Sequence, residues 1–198
     1  PNLQYHFLPS VVWDHGRIMP DRHAFQAHVG PMRPTSVGEL RLQSADPRQH
    51  PIIQPNYLTT ENDVREMRDA VKLSREIFEQ PAFGPYRGAE MAPGKDIQSD
   101  DQIDAFVRQK SDSAYHPSCT CKMGVDDLAV VDAETRVHGL EALRIVDASI
   151  MPDIVSGNLN APTIMMAEKA ADMILGLTGP EASQAPVYQS ENWKVAQR

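Results

Sequence analysis

The sequence has few cysteines, few aromatic residues and no long apolar run. It contains two cysteines, and aromatic residues make up 6% of its 198 residues. Uninterrupted apolar runs do not exceed four residues, as at 164–167, whereas a membrane-spanning helix needs about 20. We therefore predict no transmembrane segment. Cys119 and Cys121 stand one residue apart, too close for a structural staple, which favours a reducing intracellular compartment.

Positive charge is also scarce. The 19 lysines and arginines are outnumbered by 27 acidic residues, for a formal net charge of −8. A non-specific nucleic-acid-binding protein would show a basic stripe, so we exclude nucleic acid as a partner. The basic residues are scattered, which also excludes a polybasic membrane anchor. A hydrophobic content of 41% with 23% charged residues is typical of a folded globular chain.

Strand-like patterns dominate the first 42 residues. Residues 3–8, 25–29 and 38–42 alternate between apolar and polar side chains. Glycine, proline and aspartate separate these segments, as expected of turns. The spacing predicts short strands in an antiparallel sheet.

Helical patterns follow the strands. Thr60 and Asp63 form a capping-box-like start, and Pro81 marks the end of the predicted helix. A second helix is predicted to begin near Ser99 and to end before Ser113. Further along, Leu143–Val146 reads as a strand that presents Asp147 at its carboxyl end. A last helix is predicted over Pro162–Leu175, with Asn160 as its cap and Gly176 beyond its end.

His116 is the first candidate for chemistry. Pro117 favours an extended backbone at His116 and so restricts where the ring points. Imidazole is the usual base when an alcohol loses a proton near neutral pH, although a histidine can equally bond a buried carbonyl. Together with Cys119, Cys121 and His138 it could also bind zinc. The Cys-x-Cys spacing is wrong for zinc and there is no second cysteine pair, so we predict no metal site.

Four further positions are candidates for binding. Asp147 could bond a ribose or ribityl hydroxyl at a strand end, or merely cap Ser149; both remain open. Asn158 and Asn160 precede the last helix, whose positive N-terminus could stabilise an anionic ring. One asparagine suffices as a cap, which leaves the other free to bond a substrate oxygen. Tyr115 offers an aromatic face to a quaternary ammonium group, or packs in a core.

Five segments around these residues carry a family resemblance. They are FQAHVGPMRPTSVG (25–38), PIIQPNYL (51–58), SAYHPSCTCKMG (113–124), VDASIMP (146–152) and SGNLNAPTIMMAEKAAD (156–172). Together they resemble the carboxy-terminal part of the glucose–methanol–choline (GMC) oxidoreductases, especially the members that oxidise choline. The resemblance extends over nearly all of residues 3–178, and the ending of the chain is similar as well.

The resemblance implies an FAD-dependent enzyme that oxidises choline, or a similar small alcohol, and passes electrons to a respiratory acceptor. It implies His116 as the base, Asn158 as the partner of the alkoxide oxygen and Tyr115 as a contact for the trimethylammonium group. It also implies a mitochondrial location associated with the inner membrane. The residues implied to line the flavin are Asp147, Ala148, Asn158, Leu159, Asn160 and Ala161.

One departure from the family pattern is clear. The family binds FAD through an amino-terminal Rossmann unit with Gly-x-Gly-x-x-Gly, and none of the 11 glycines here has that spacing. We therefore expect this chain alone to bind FAD weakly or not at all. Because it also begins with Pro1 and Asn2, we predict that it is a portion of a longer protein. The alternative function is that of a catalytically incompetent fragment, acting at most as a binding or interaction module.

The predicted fold class is α+β. It comprises an antiparallel substrate-domain sheet with helices, plus the carboxy-terminal strand and helix of an FAD-binding α/β domain whose amino-terminal Rossmann half is missing. Residues 1–95 are predicted to be a partial substrate-binding domain. Residues 96–178 carry the active-site histidine and return to the FAD domain, and residues 179–198 form a tail.

Overall fold

Three helices and two small antiparallel sheets make up the regular structure of the described residues. The computed structural model describes residues 1–18 and 21–187. Its elements are β1 (Leu3–Leu8), β2 (Gln26–Pro31), β3 (Glu39–Arg41), β4 (Ile52–Gln54), α1 (Glu61–Phe78), α2 (Asp100–Lys110) and α3 (Asn160–Leu175). One-turn 3₁₀ helices lie at Asp14–Gly16, Pro81–Phe83 and Ala148–Ile150. The predicted α+β class is confirmed at this level.

The chain divides into two units. Asn2–Tyr115 contains β1 to β4, α1 and α2, and the second unit begins at His116 and contains α3, with Pro1 assigned to it. The boundaries expected near residues 95 and 178 stay predictions. Of the predicted tail, residues 188–198 lie outside the described residues.

The strands of the first unit pair as two hairpin-like sheets. β1 and β2 are antiparallel, in register from Leu3 opposite Pro31 to Leu8 opposite Gln26. The two predicted strands are confirmed, although β2 continues through Pro31, where the missing N–H falls at a strand end. β3 confirms the third predicted strand. Its antiparallel partner β4 was not predicted.

The start of α1 confirms Thr60 as the cap but not the reciprocal half of a capping box. The Thr60 side chain accepts a hydrogen bond from the Asp63 N–H at 3.3 Å. The Asp63 carboxylate instead accepts from the N–H groups of Thr35 and Ser36, at 2.7 and 2.8 Å. Asp63 is 2% exposed. Burial opposes its ionisation, but hydrogen bonds from Ser36 and Thr35 outweigh it and hold the pKa of Asp63 at about 2.

Helices α1 and α2 enclose the core of the first unit. Val71 of α1 packs with Ile103 and Val107 of α2, all three buried. The α2 start is a complete capping box, in which Ser99 and Gln102 each satisfy the other's backbone N–H. Both predicted helices are therefore confirmed. The partly buried residues that pack around this core are Leu58, Met67, Ile97 and Phe106.

The strand predicted over Leu143–Val146 is wrong. Within the described second unit this segment makes an isolated bridge, between Arg136 and Arg144. Backbone hydrogen bonds join Val137 to Leu143 at 3.0 Å and Ile145 to Thr135 at 3.1 Å. Thr135 has φ +65°, a left-handed conformation unusual for a β-branched residue. The chain turns there, so the pairing ends before a strand forms.

Helix α3 begins earlier than predicted. Its first residue is Asn160, and Leu159 occupies the N-cap position with φ −80° and ψ −15°. The expectation that Asn160 caps the helix is therefore wrong, because the backbone is already helical at the preceding residue. The predicted end is confirmed: Leu175 is the last helical residue, and Gly176 adopts the left-handed C-cap conformation at φ +66°.

Candidate functional site

His116 and Asn158 lie side by side in the second unit. The His116 Nε2 atom is 2.9 Å from the Asn158 Oδ1 atom, although the residues are 42 positions apart in the sequence. His116 is half-buried and Asn158 is exposed. An imidazole and an amide are thus presented together at an accessible surface of the unit.

A backbone ladder holds the His116 segment in place. Three of its N–H groups donate in alternation to consecutive carbonyls of the 3₁₀ turn that follows Asp147. These bonds run from Cys119 to Ala148 (3.3 Å), from Cys121 to Ser149 (2.9 Å) and from Met123 to Ile150 (2.8 Å). The motif that contains the histidine is therefore tied along its length to the motif that contains the aspartate.

The two asparagines are exposed on either side of a buried leucine. Leu159 is 6% exposed, while Asn158 and Asn160 on either side of it are exposed. Gly157 has φ +96°, which a side chain at that position would resist, and it turns the chain into Asn158. The apolar anchor between two polar neighbours thus fixes the amide that contacts His116.

The N-terminus of α3 carries donors that its own side chains leave open. The Leu159 side chain has no polar atom to accept a hydrogen bond, so the described helix begins without a side-chain cap. The N–H groups of Asn160 and Ala161 have no acceptor within the helix, and Pro162 has no N–H to satisfy. The helix end carries roughly half a positive charge. This arrangement can receive an anionic group next to the His116–Asn158 pair.

Asp147 has the capping role that the sequence left open. Its Oδ1 atom accepts a hydrogen bond from the Ser149 N–H at 2.7 Å, at the start of the turn over Ala148–Ile150. Asp147 is exposed. Its second oxygen, Oδ2, retains the capacity to accept a hydroxyl hydrogen bond, so capping and ligand binding are compatible.

The residues considered for zinc have other roles. Cys119 and Cys121 are free and half-buried, and the Cys119 thiol contacts the Ser118 hydroxyl at 3.2 Å. His138 Nε2 lies 3.0 Å from the Gly124 carbonyl. Among the described residues, no three histidine, cysteine or acidic side chains group as metal ligands.

Tyr115 is the last residue of the first unit, and its side chain is engaged there. Its hydroxyl lies 3.1 Å from His15 Nδ1, and His15 Nε2 lies 2.8 Å from Asp112 Oδ2. Sequence reasoning missed both partners. His15 is 100 positions from Tyr115, and no spacing rule connects such distant residues.

Comparison with protein families identifies the group to which this chain is related. The family model described as GMC oxidoreductase, which represents the carboxy-terminal domain, matches residues 34–167. The chain belongs to the GMC oxidoreductase family. Members of this family are FAD-dependent. The predicted resemblance to its carboxy-terminal part is confirmed.

Similar proteins include choline dehydrogenases from animals and bacteria. The chain is 62% identical over 193 residues to mitochondrial choline dehydrogenase from Mus musculus, covering 96% of this chain and 32% of that protein. It is 58% identical to oxygen-dependent choline dehydrogenase from Paraburkholderia phymatum, covering 95% of this chain and 33% of that protein. The chain therefore spans about a third of the length of the curated relatives it matches.

A solved structure supports the fold. Pyridoxine 4-oxidase from Mesorbium loti matches with a TM-score of 0.82 and 30% sequence identity, covering 90% of this chain and 35% of that protein.

As for membranes, no helix among the described residues is both long and apolar enough to cross a bilayer.

Proposed function

We propose that this chain forms the carboxy-terminal part of an FAD-dependent choline dehydrogenase that oxidises choline to betaine aldehyde. The observation that carries the proposal is the 2.9 Å approach of His116 Nε2 to Asn158 Oδ1. The pair lies beside a helix start that has no side-chain cap. The names of the similar proteins support choline as the alcohol.

His116 is the proposed base. Its Nε2 atom takes the hydroxyl proton of the substrate, and Asn158 Oδ1 accepts a hydrogen bond from the resulting N–H. The Asn158 amide group, Nδ2, donates to the oxygen as its negative charge develops. A positioned base of this kind typically contributes about 10²–10⁴-fold to the rate, and a donor aimed at a developing oxyanion about 10²–10³-fold.

The residues of the second unit fit the flavin that the family uses. FAD, when bound, supplies the hydride acceptor. The open N–H groups at the start of α3 suit the pyrimidine end of the ring, which carries negative charge in the reduced form. Asp147 and Ala148 are proposed to line the group with Asn158 and Asn160, the carboxylate oxygen Oδ2 bonding a hydroxyl. Leu159 and Ala161 complete the proposed set.

Tyr115 is the proposed contact for the cationic end of the substrate. A quaternary ammonium group has no N–H to donate, so an aromatic face is a favourable neighbour for it. Tyr115 precedes His116 directly in the chain, and the residue is 72% exposed.

We further propose a mitochondrial enzyme, associated with the inner membrane, that passes electrons to a respiratory acceptor. The mouse relative is named as mitochondrial. The bacterial relative is named as oxygen-dependent, so assays with molecular oxygen and with a quinone analogue would distinguish the two acceptors.

The second candidate function is a non-catalytic interaction module. Flavin absorbance separates the candidates. In the full-length protein that contains this chain, bound yellow flavin that bleaches when choline is added supports catalysis. A full-length protein that stays colourless with added FAD supports the interaction module.

The His116→Ala variant tests the proposed role of the base. In the holoenzyme that contains this chain, we expect choline turnover to fall by about 10²–10⁴-fold with an unchanged flavin content. His138→Ala is the matched control, because His138 lies in the same unit and bonds a backbone carbonyl. We expect His138→Ala to retain turnover. Full turnover in His116→Ala, or a loss of flavin together with turnover, would refute the assignment.

A further inference from the structure

The turn that carries His15 has a strained backbone. Asp14, His15 and Gly16 have φ of 45°, 55° and 84°, three successive residues in the left-handed region. A bridge between Trp13 and Ile18 closes the turn. A non-glycine residue in this conformation costs free energy and persists only where surrounding structure requires it.

The strain places the His15 ring between two other side chains. Asp112 Oδ2 lies 2.8 Å from His15 Nε2, and the Tyr115 hydroxyl lies 3.1 Å from His15 Nδ1. With the carboxylate accepting at Nε2, the neutral imidazole has its proton there and its lone pair at Nδ1. The Tyr115 hydroxyl therefore donates to Nδ1.

Stability alone does not account for this arrangement. The side chains of His15 and Asp112 are 50% and 57% exposed, and polar contacts between side chains this exposed contribute little to folding. Tyr115 is exposed as well, so its burial contributes little to stability either. Tyr115 itself has φ +60°, another left-handed residue. Backbone strain that no buried contact offsets is characteristic of functional positions.

We propose that His15 and Asp112 are positioning residues that fix the orientation of the Tyr115 ring for the trimethylammonium group of the substrate. This inference rests on the proposed function. The Asp112–His15 pair anchors the hydroxyl end of the ring, while the Ser113 hydroxyl accepts from the Tyr115 N–H at 3.0 Å. Held at both ends, the ring presents one face without the rotational freedom of an exposed tyrosine, which lowers the cost of binding the cation.

The unchanging charge of the trimethylammonium group predicts which kinetic constant changes when its contact with Tyr115 is weakened. The trimethylammonium group keeps its charge throughout the reaction, so its contact with the ring is equally strong before and during the chemical step. Losing such an interaction raises KM and leaves kcat nearly unchanged. An alcohol of the same shape without the charge gains nothing from the ring orientation.

The experiment compares choline with its uncharged isostere, 3,3-dimethyl-1-butanol, in the holoenzyme that contains this chain. We expect His15→Ala and Tyr115→Phe each to raise the KM for choline about three- to tenfold. The kcat for choline and the KM for the isostere should stay within about twofold. His15→Asn is a second variant at this position, because asparagine tolerates the left-handed backbone but is too short to reach Tyr115.

Two further comparisons separate a connected group from independent residues. The double variant His15→Ala/Tyr115→Phe should be no worse than either single variant, because both break the same contact. Asp112→Ala should resemble His15→Ala, whereas Asp112→Asn should recover most of the affinity, since its amide oxygen still accepts from Nε2. Each variant's melting temperature confirms that it has folded.

The outcomes that would overturn the inference differ from those that would overturn the proposed function. Multiplying effects in the double variant, an unchanged KM for choline in the His15 variants, or equal losses for choline and the isostere would each refute the positioning role. The proposed function would still stand if His116→Ala abolished turnover. Retention of turnover in His116→Ala would refute the proposed function whatever the His15 variants do.

Discussion

The starts of α1 and α3 satisfy their backbone donors in opposite ways. At α1, Thr60 caps the helix, and the buried Asp63 carboxylate binds the preceding loop through the N–H groups of Thr35 and Ser36. At α3, the buried Leu159 occupies the N-cap, and its apolar side chain accepts no hydrogen bond. One helix start uses its polar groups for folding, and the other is held by an apolar anchor.

This difference distinguishes polar groups that stabilise the fold from polar groups that are available to a ligand. A carboxylate buried among hydrogen-bond donors, as at Asp63, has its acceptors occupied and is not free to bind a ligand. The exposed amides at Asn158 and Asn160 contribute little to burial, and the helix N–H groups beside them remain open to a ligand. Substitutions at α1 should therefore change stability, and substitutions at the α3 start should change activity.

In the comparison of the two helix starts, the largest expected effect is at Asn158. We predict that Asn158→Ala lowers choline turnover about 10²–10³-fold, because the developing alkoxide loses its amide donor. The melting temperature should barely change, since the side chain is exposed. Turnover and thermal unfolding of the holoenzyme containing this chain measure the two quantities.

Asn62→Ala is the matched control for that prediction. Asn62 is an asparagine in the first turn of α1, where its side chain accepts from Arg65 at 2.8 Å. We expect full turnover from it. Equal losses of activity in the two variants would contradict the distinction between the helix starts.

The next largest effect is on stability, at Asp63. We predict that Asp63→Asn lowers the free energy of unfolding by about 2–3 kcal/mol, because a neutral amide replaces a carboxylate that accepts from two backbone N–H groups. Denaturant unfolding measures the change. Asp69→Asn, an exposed position on the same helix, should change the free energy by less than about 0.5 kcal/mol.

The pH dependence gives an independent check on Asp63. Its pKa is about 2 in the folded protein against 3.8 for an ordinary aspartate, so the folded state binds the proton less readily than the unfolded state. The stabilisation is therefore fully present above about pH 4, is lost as the pH falls through about 2, and amounts to about 2 kcal/mol. The stability difference between the wild type and Asp63→Asn should shrink over that range. A constant difference down to pH 2 would show that the carboxylate is not the cause.

The sequence predicted helices better than it predicted irregular backbone. Thr60 and Ser99 are cap residues that precede periodic apolar positions, and those local signals are sufficient to locate α1 and α2. β4 escaped prediction because its two adjacent apolar residues, Ile52 and Ile53, do not alternate with polar ones, whereas the equally short β3 does alternate. The Leu143–Val146 segment has strand composition, but its partner strand turns away at Thr135, and composition does not report the partner's path.

The residues of the candidate site also divide into those that local motifs predict and those that only the fold brings together. His116 and Asn158 were predicted from motifs. A ladder of backbone bonds ties the His116 segment to the turn over Ala148–Ile150, which precedes Asn158 in the chain. His15 and Asp112 were not predicted, because their contact with Tyr115 depends on a left-handed turn at residues 14–16, near the amino terminus. The wrong prediction of Asn160 as the cap has a local cause. The buried Leu159 occupies the N-cap position, one residue before the polar side chain that resembles a cap.

The smallest expected effect tests the two caps directly. We predict that Thr60→Ala lowers the free energy of unfolding by about 1 kcal/mol, because the Asp63 N–H loses its acceptor. Asn160→Ala should change it by less than about 0.5 kcal/mol, since Asn160 is exposed within the first helical turn and caps nothing. Denaturant unfolding of both variants, followed by far-ultraviolet circular dichroism, measures the difference. A loss at Asn160 as large as that at Thr60 would mean that the α3 start is stabilised by its polar side chain, and the contrast between a structural and a functional helix start would fail.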